Sequence, residues 1–238
     1  MASQEHLDTL LQGAIVWNTF RQSNPDIVPD LSSIALKGND FSGCNLSGVN
    51  MRTSTLNGSN FSDANLDKVD LRKSDLRSCA FANASMQRAL LQDTNLGQAK
   101  FQNANLQRAS LTGATLNSAA FANTDMRGAD LTGVHLNNQN LQGIDFRAAN
   151  LSRTKLLGAN LRGVNLTKAD LTAADAEGAV FAEATLRNII ATQTNMKHCD
   201  FTGAHFENTD LSEALFDGST FDKANLFRST FHNVNLAE

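Results

Sequence analysis

Residues 158–175 read GANLRGVNLTKADLTAAD, and the five-residue spacing in this stretch governs how the chain folds. The same pattern runs through 42 consecutive units between Leu31 and Leu236 without an insertion or a deletion. The residue whose number ends in 1 or 6 is the central position of its unit, and it is Leu, Phe or Met in 40 of the 42 units. A repeat this regular predicts a solenoid, in which stacked coils bury one continuous core.

The other positions of the unit have their own composition. The residue two before the centre, the corner position, is Ala, Ser, Cys, Thr or Val in 36 of 42 units, so we expect a small inward side chain there. The residue just before the centre is Asn or Asp in 24 units, and such side chains bond backbone amides at turns. The two residues after the centre, the first and second outward positions, are expected to face water. The second holds 13 of the 15 glycines, which indicates positive φ.

The stretches SGCNLSG at 42–48, NANLQRASLTGATL at 103–116 and RGADLTG at 127–133 follow the same rule. The pattern resembles the pentapeptide repeat family, whose unit is A(D/N)LXX, over about residues 31–236. The resemblance implies an all-β fold, a right-handed four-sided parallel β-helix with twenty residues per coil.

The spacing of phenylalanine supports this period independently. Twelve central phenylalanines form six pairs separated by 20 residues, against three pairs at 15 and three at 25. We therefore expect one set to stack along one side of the solenoid: Phe41, Phe61, Phe81, Phe101 and Phe121.

The first residues break the repeat. We predict a capping helix over residues 1–24, a linker over 25–30 and the β-helix of about ten coils over 31–238. Pro25 is a natural helix stop, and Trp17 is expected to cap the core rather than bind a ligand. An apolar helical face consists of Leu7, Leu10, Leu11, Ala14, Trp17 and Phe20. The N-terminal stretch has no basic flank or long apolar run, which predicts no signal peptide, no membrane span and a cytoplasmic location.

Residues suited to catalysis or metal binding are sparse. Three cysteines occupy corner positions, where a thiol acts as a small hydrophobe: Cys44, Cys79 and Cys199. Cys79 and Cys199 are six coils apart, about 29 Å, so no disulfide or metal site is expected from them. Five histidines lie at outward or terminal positions without an arranged triad partner. The sequence predicts no enzyme activity, no catalytic residue, no metal, no cofactor and no small-molecule substrate.

Charge is banded along the chain. Residues 1–67 carry 3 basic and 7 acidic side chains, residues 68–168 carry 13 and 6, and residues 169–238 carry 4 and 11. With a period of 20, seven cations fall on one side, the basic wall: Lys68, Arg88, Arg108, Arg127, Arg147, Lys168 and Arg187. One interpretation is a solvated face without a function, because Asp125 and Asp145 stand beside Arg127 and Arg147. The other is a docking stripe for an acidic surface or for phosphates.

Two classes of function fit this pattern. The first is a rigid, non-enzymatic scaffold that binds a protein partner of unknown identity, with regulation of that partner as an open option. The second comes from the resemblance, because some family members resemble B-form DNA in width and charge and bind DNA gyrase. The basic middle of the chain disfavours mimicry along its whole length, but an acidic stretch leaves a local version open: Asp200, Glu207, Asp210, Glu213, Asp217 and Asp222. Nucleic-acid binding along the basic wall is a third alternative.

Two local features complete the expectations. Ala176 and Ala191 replace two large central side chains within one coil, which predicts cavities and weak protection from hydrogen exchange. At the C-terminal end, an apolar patch with no covering helix predicts an end-to-end homodimer, as the resemblance to dimeric family members also suggests. The predicted interface consists of Leu215, Phe221, Leu226, Phe227, Phe231 and Leu236.

Overall fold

The computed structural model describes residues 2–234, which divide into two compact units. Unit 1 spans residues 1–121 and unit 2 spans residues 122–238. Each unit is a right-handed, four-sided parallel β-helix, as expected, and unit 1 begins with two short helices. Among the described residues, no helix is long and apolar enough to cross a membrane.

Parallel bridges between residues twenty apart build both units. In unit 1 they run from Asp30↔Asn50 to Lys100↔Ala120, and in unit 2 from Asp125↔Asp145 to Asp210↔Thr230. Each side of a coil contributes a single bridging residue, the one just before the centre, rather than an extended strand. This register confirms the predicted coil of twenty residues.

Central side chains of like type stack within each unit. In unit 1 the five phenylalanines from Phe41 to Phe121 form the predicted column, with neighbouring ring centroids 5.1–5.5 Å apart. In unit 2 Phe181, Phe201 and Phe221 form a second column, with centroids 5.2 and 5.0 Å apart. Burial of each ring contributes about 1.5 to 3 kcal/mol before conformational entropy is subtracted.

Most corner positions are buried, and their hydroxyl groups bond carbonyl oxygens of the coil before or of the same coil. The Ser74 hydroxyl donates to the carbonyl oxygen of Met51 at 2.9 Å and accepts the Ser54 N–H at 3.0 Å. In unit 2 the Thr194 hydroxyl donates to the carbonyl oxygen of Leu171 at 2.8 Å. A small hydroxyl therefore fits the corner because it bonds a carbonyl there, so no polar atom is left without a partner.

The turns follow the predicted rule for Asn and Asp. The side-chain oxygen of Asn45, for example, accepts the N–H of Ser47 at 3.3 Å, and Asp40 accepts that of Ser42 at 3.0 Å. The second outward position has positive φ whatever its residue, as at Gly113 with 73° and Ala148 with 55°. The glycine preference therefore marks a conformation that many non-glycine residues also adopt.

The predicted single capping helix is wrong in one respect. The structure has two helices, α1 over Gln4–Leu11 and α2 over Ala14–Ser23, because Gly13 lies between them with φ of 94°. This break turns Leu11 to solvent, where it is 51% exposed, although its spacing placed it on the buried face. Trp17 and Leu10 are buried as expected.

Side chains of α2 hydrogen-bond the open edge of the first coil. The indole N–H of Trp17 donates to the carbonyl oxygen of Asn45 at 2.8 Å. Asn18 bonds the edge twice, since its amide donates to the oxygen of Gly43 at 2.9 Å and its oxygen accepts the N–H of Asn45 at 2.7 Å. The guanidinium of Arg21 donates to the oxygen of Ser47 at 2.8 Å. The helix therefore satisfies backbone groups that another coil would otherwise bond.

The coil with the two central alanines keeps its backbone ladder. Ala176 and Ala191 are both fully buried, and their N–H groups donate to Asn195 and Asp210 at 2.7 and 3.0 Å. The bonds beside Ala191 are longer, with Gln193 to Ser212 at 3.2 Å. Weak protection of this coil from hydrogen exchange stays a prediction.

Replacing Asn18 by Ala should uncap the first coil. The change leaves the N–H of Asn45 and the oxygen of Gly43 without this partner, so we expect unit 1 to lose about 1 to 3 kcal/mol of stability. Denaturant unfolding followed by fluorescence of the single tryptophan, which lies in the cap, measures it. Gln22→Ala, on the exposed side of α2, is the control and should change stability by less than about 0.5 kcal/mol. Equal effects of the two changes would contradict the capping role.

Replacing Ala148 by Gly should stabilise unit 2. A non-glycine residue with φ near 55° is strained by about 1 to 2 kcal/mol. Glycine relieves this strain, but part of the gain in stability is lost because glycine increases the conformational entropy of the unfolded chain. We expect a net gain of about 0.5 to 1 kcal/mol in chemical unfolding. The neighbouring Ala149→Gly is the matched control, because it empties a buried corner and should destabilise. Destabilisation by both changes would refute the strain argument.

Candidate functional site

The three thiols are structural. Burial raises the pKa of Cys44 to about 11 and the pKa of Cys79 and Cys199 to about 12, so all three are protonated at neutral pH. The Cys79 thiol donates to the carbonyl oxygen of Leu56 at 3.1 Å, and the Cys199 thiol donates to that of Ala176 at 3.0 Å. Within residues 2–234, no group of His, Cys, Asp and Glu is arranged to hold a metal ion. The candidate sites are therefore on the outward positions.

In unit 1 the basic wall consists of Lys68, Arg88 and Arg108, at the second outward positions of three successive coils. The N–H of Lys68 donates to the oxygen of Gln87, and that of Arg88 donates to Gln107, both at 2.8 Å. These bonds keep the three residues in register, about 4.8 Å apart along the stack. All three side chains are exposed, and their φ values of 57–58° project them from the corner.

The same side of unit 1 carries a groove with a volume of about 310 Å³. It is lined by the three cations with Asp67, Gln87 and Gln107. The Asp67 carboxylate accepts the Ser85 hydroxyl at 2.6 Å and the Gln87 N–H at 2.8 Å. In the part of the chain that the structure describes, no carboxylate forms an ion pair with Lys68, Arg88 or Arg108. The groove therefore keeps a net positive charge.

In unit 2 most cations of the basic wall are neutralised. Arg127 donates two short hydrogen bonds to Asp125, at 2.6 and 2.9 Å, and the Asp145 carboxylate lies 2.6 Å from Arg147. The hydrogen bonds that Arg127 and Arg147 donate to Asp125 and Asp145 raise the pKa of both guanidinium groups. Arg187 pairs with Glu207 at 3.1 Å, which leaves Lys168 as the wall cation of the described unit 2 without an ion pair. The seven predicted cations are thus not equivalent.

The predicted acidic stretch is also partly neutralised, by cations that come from the coil before. Lys197 lies 2.8 Å from Asp217, and Arg187 pairs with Glu207. The Glu213 carboxylate accepts the amide of Gln193 at 2.9 Å. Comparison of positions twenty apart in the sequence reveals these pairs, although the stretch itself contains no Lys or Arg. Glu207 and Asp217 are therefore neutralised, whereas Asp200, Asp210, Glu213 and Asp222 form no ion pair in the described residues.

Asp200 and Asp210 bond the turn that follows them. Each accepts a backbone N–H, from Thr202 at 2.9 Å and from Ser212 at 3.0 Å. Hydrogen bonds from the hydroxyl and N–H groups of Thr202 and Ser212 lower the pKa of the Asp200 and Asp210 carboxyls. Asp222 makes no side-chain hydrogen bond or ion pair within residues 2–234.

The predicted dimer interface is partly exposed. Phe227 is 60% and Leu215 is 38% exposed, whereas Phe221, Leu226 and Phe231 are half-buried. The guanidinium of Arg228 lies 4.9 Å from the ring centroid of Phe227 and covers one of its faces. Leu236 lies outside the described residues. The homodimer stays a prediction that the molecular mass in solution tests.

Comparison with known proteins gives the following matches. A family model described as pentapeptide repeats matches in residues 30–58, 36–72, 129–167, 165–203 and 204–237, and one described as a pentapeptide repeat region matches in residues 60–131. No curated protein sequence matches the chain.

Several solved structures are similar to the chain. HetL, a pentapeptide repeat protein involved in heterocyst differentiation regulation in the cyanobacterium Nostoc sp. strain PCC 7120, is 24% identical with a TM-score of 0.41, over 89% of this chain and 92% of HetL. A trypsin-treated variant of QnrB1, a plasmid-mediated fluoroquinolone resistance protein, is 22% identical with a TM-score of 0.47, over 84% and 91%. A pentapeptide repeat protein of the Arabidopsis thaliana thylakoid lumen is 21% identical with a TM-score of 0.20, over 65% and 69%.

The double substitution Asp200→Asn with Asp210→Asn should change the response of unit 2 to acid. Both carboxyls have a folded-state pKa below the usual 3.8, so their contribution to stability is present above about pH 4 and is lost as pH falls through the folded-state value. We expect the variant to be less stable than the original chain at pH 7, and the difference to shrink as pH falls below about 4. Chemical unfolding at pH 7 and at pH 2 measures this difference. A difference that stays constant from pH 7 to pH 2 would contradict the assignment.

Proposed function

Because the chain belongs to the pentapeptide repeat family, we propose that it is a non-catalytic scaffold that binds another protein through the basic wall of unit 1. The observation that carries the proposal is the contrast between unpaired and paired cations. Lys68, Arg88 and Arg108 face solvent without an ion pair in the described part of unit 1, while Arg127, Arg147 and Arg187 are bound to carboxylates of unit 2. Unpaired cations attract an acidic partner more strongly, because no carboxylate in direct contact cancels their charge, although Asp67 offsets part of the field at Lys68.

The inward residues support a scaffold rather than an enzyme. Most central and corner side chains are buried, and the three thiols are protonated and hydrogen-bonded or enclosed. Outward side chains can therefore vary without disturbing the core, which suits a surface for recognition. We place this function in the cytoplasm, where free thiols such as these three remain reduced.

The gyrase alternative loses support from the charge arrangement. A protein that imitates DNA has to present carboxylates where phosphates would be, but Glu207 and Asp217 are paired with cations. Asp200 and Asp210 are engaged in turns. Nucleic-acid binding is less favoured than protein binding, because the six residues that line the groove include no aromatic side chain on which a base could stack.

The triple substitution Lys68→Gln, Arg88→Gln and Arg108→Gln tests the proposal. We expect recovery of the protein partner from the source cell to fall at least about fivefold at low salt, because each exposed charge pair is worth about 0.2 to 1 kcal/mol. The melting temperature should change little, since these side chains form no ion pair in the described residues. Affinity capture with quantitative mass spectrometry measures the recovery.

The matched control removes the same charge from the other three sides of unit 1. Lys37→Gln, Lys73→Gln and Lys100→Gln change three exposed cations, and partner recovery should remain within about twofold of the original chain. Equal loss in both triple variants would show that net charge, rather than the basic wall, attracts the partner. Equal recovery from the first variant and the original chain would leave the basic wall of unit 1 as a solvated face.

A further inference from the structure

The groove of unit 1 has a charge pattern with two different ends. Lys68 and Asp67 are neighbours in the first of its three coils, whereas the next two coils carry Arg88 and Arg108 beside neutral glutamines. The Asp67 carboxylate is fixed, because its oxygen accepts both the Ser85 hydroxyl and the Gln87 N–H. One end of the groove is therefore close to neutral, and the other end is cationic.

The spacing limits what can occupy the groove. Three cations at intervals of about 4.8 Å span about 10 Å, which is the length of three residues of extended chain. Arginine forms two parallel hydrogen bonds with a carboxylate, and a glutamine amide beside it can donate another. The side chain of Gln87 has no hydrogen-bond partner in the described residues, so its amide is available to a ligand.

The groove lacks the parts that a nucleic-acid strand would use. Single-stranded nucleic acids bind through stacking of bases on aromatic side chains, together with cations. None of the six lining residues is aromatic, and the phenylalanines of the nearby column are buried. A fixed carboxylate within the groove would also repel a phosphate backbone.

We infer that this groove binds an extended acidic peptide segment of about three residues, and that Asp67 sets its direction. The segment lies across the three coils, with its carboxylates at Arg88 and Arg108 and a neutral or basic residue at the end beside Asp67. Asp67 is thus a specificity-determining residue, because it disfavours a ligand whose negative charge continues past Lys68. This inference rests on the proposed function, since it names the segment by which the protein partner would be recognised.

Binding of labelled synthetic peptides to the full chain, measured by fluorescence anisotropy at low salt, tests the inference. A Gly-flanked peptide with three consecutive glutamates should bind, and the same peptide with glutamines should not. Lys68→Gln with Arg88→Gln and Arg108→Gln should weaken glutamate-peptide binding at least about tenfold, whereas Lys37→Gln with Lys73→Gln and Lys100→Gln should change it less than about twofold. Circular dichroism of each variant verifies its fold.

Asp67→Asn isolates the role of the carboxylate, because the asparagine oxygen still accepts the Ser85 and Gln87 hydrogen bonds. This variant should bind the glutamate peptide about two- to fivefold more tightly. A lysine added at one end of the peptide, but not at the other, should improve binding to the original chain, and the improvement should disappear in Asp67→Asn.

Three outcomes would overturn the inference: no binding of the glutamate peptide, equal binding by both triple variants, or tighter binding of an eight-residue oligothymidylate. Asp67→Asn with unchanged affinity and unchanged preference for the lysine-bearing peptides would remove the directional part. If the peptides do not bind but the chain still captures a protein partner through the basic wall, the proposed function remains intact. Peptide binding without partner recovery would support the groove and remove the scaffold function.

Discussion

Backbone hydrogen bonds between coils twenty residues apart are the constraint on which the rest of each unit depends. The N–H of Phe61 donates to the oxygen of Ala80 at 2.7 Å, and the N–H of Ala80 returns a bond to the oxygen of Ser59 at 3.0 Å. Because both bonds fix the same register, residues twenty apart lie directly above one another. Phenylalanines stack and small corner residues align as a consequence, and one inserted residue would displace all of them.

Because of this register, the charge of a surface region depends on residues twenty apart, which stack in one column, more than on residues adjacent in the sequence. A cation is neutralised when its column or an adjacent one supplies a carboxylate, as Glu207 does for Arg187 and Asp217 for Lys197. In unit 1 Lys68, Arg88 and Arg108 share one column, and Asp67 is the one carboxylate that lines the groove beside them. Solvent and salt reduce their mutual repulsion, which makes such a column tolerable in a stable fold.

Within each five-residue unit, the positions that stabilise the β-helix differ from the positions that can contact a partner. Most central and corner residues are buried, whereas most outward residues contact water. The second outward position is strained for non-glycine residues, and residues such as Lys68 and Arg88 accept this strain. Long cationic side chains at these positions project well beyond the corner, which places them where a partner could bind.

The sequence by itself determined the coil length, the inward and outward positions and the phenylalanine column, because one hydrogen-bond register imposes one period on all of them. It also placed Lys68, Arg88 and Arg108 on one side of unit 1. Only the tertiary structure decided which wall cations are paired, because pairing depends on side-chain geometry between coils and within turns, as at Asp125 and Arg127. The sequence also did not predict the break between α1 and α2 at Gly13. The position of α2 is set by its hydrogen bonds with the edge of the first coil, and helical periodicity carries no information about that edge.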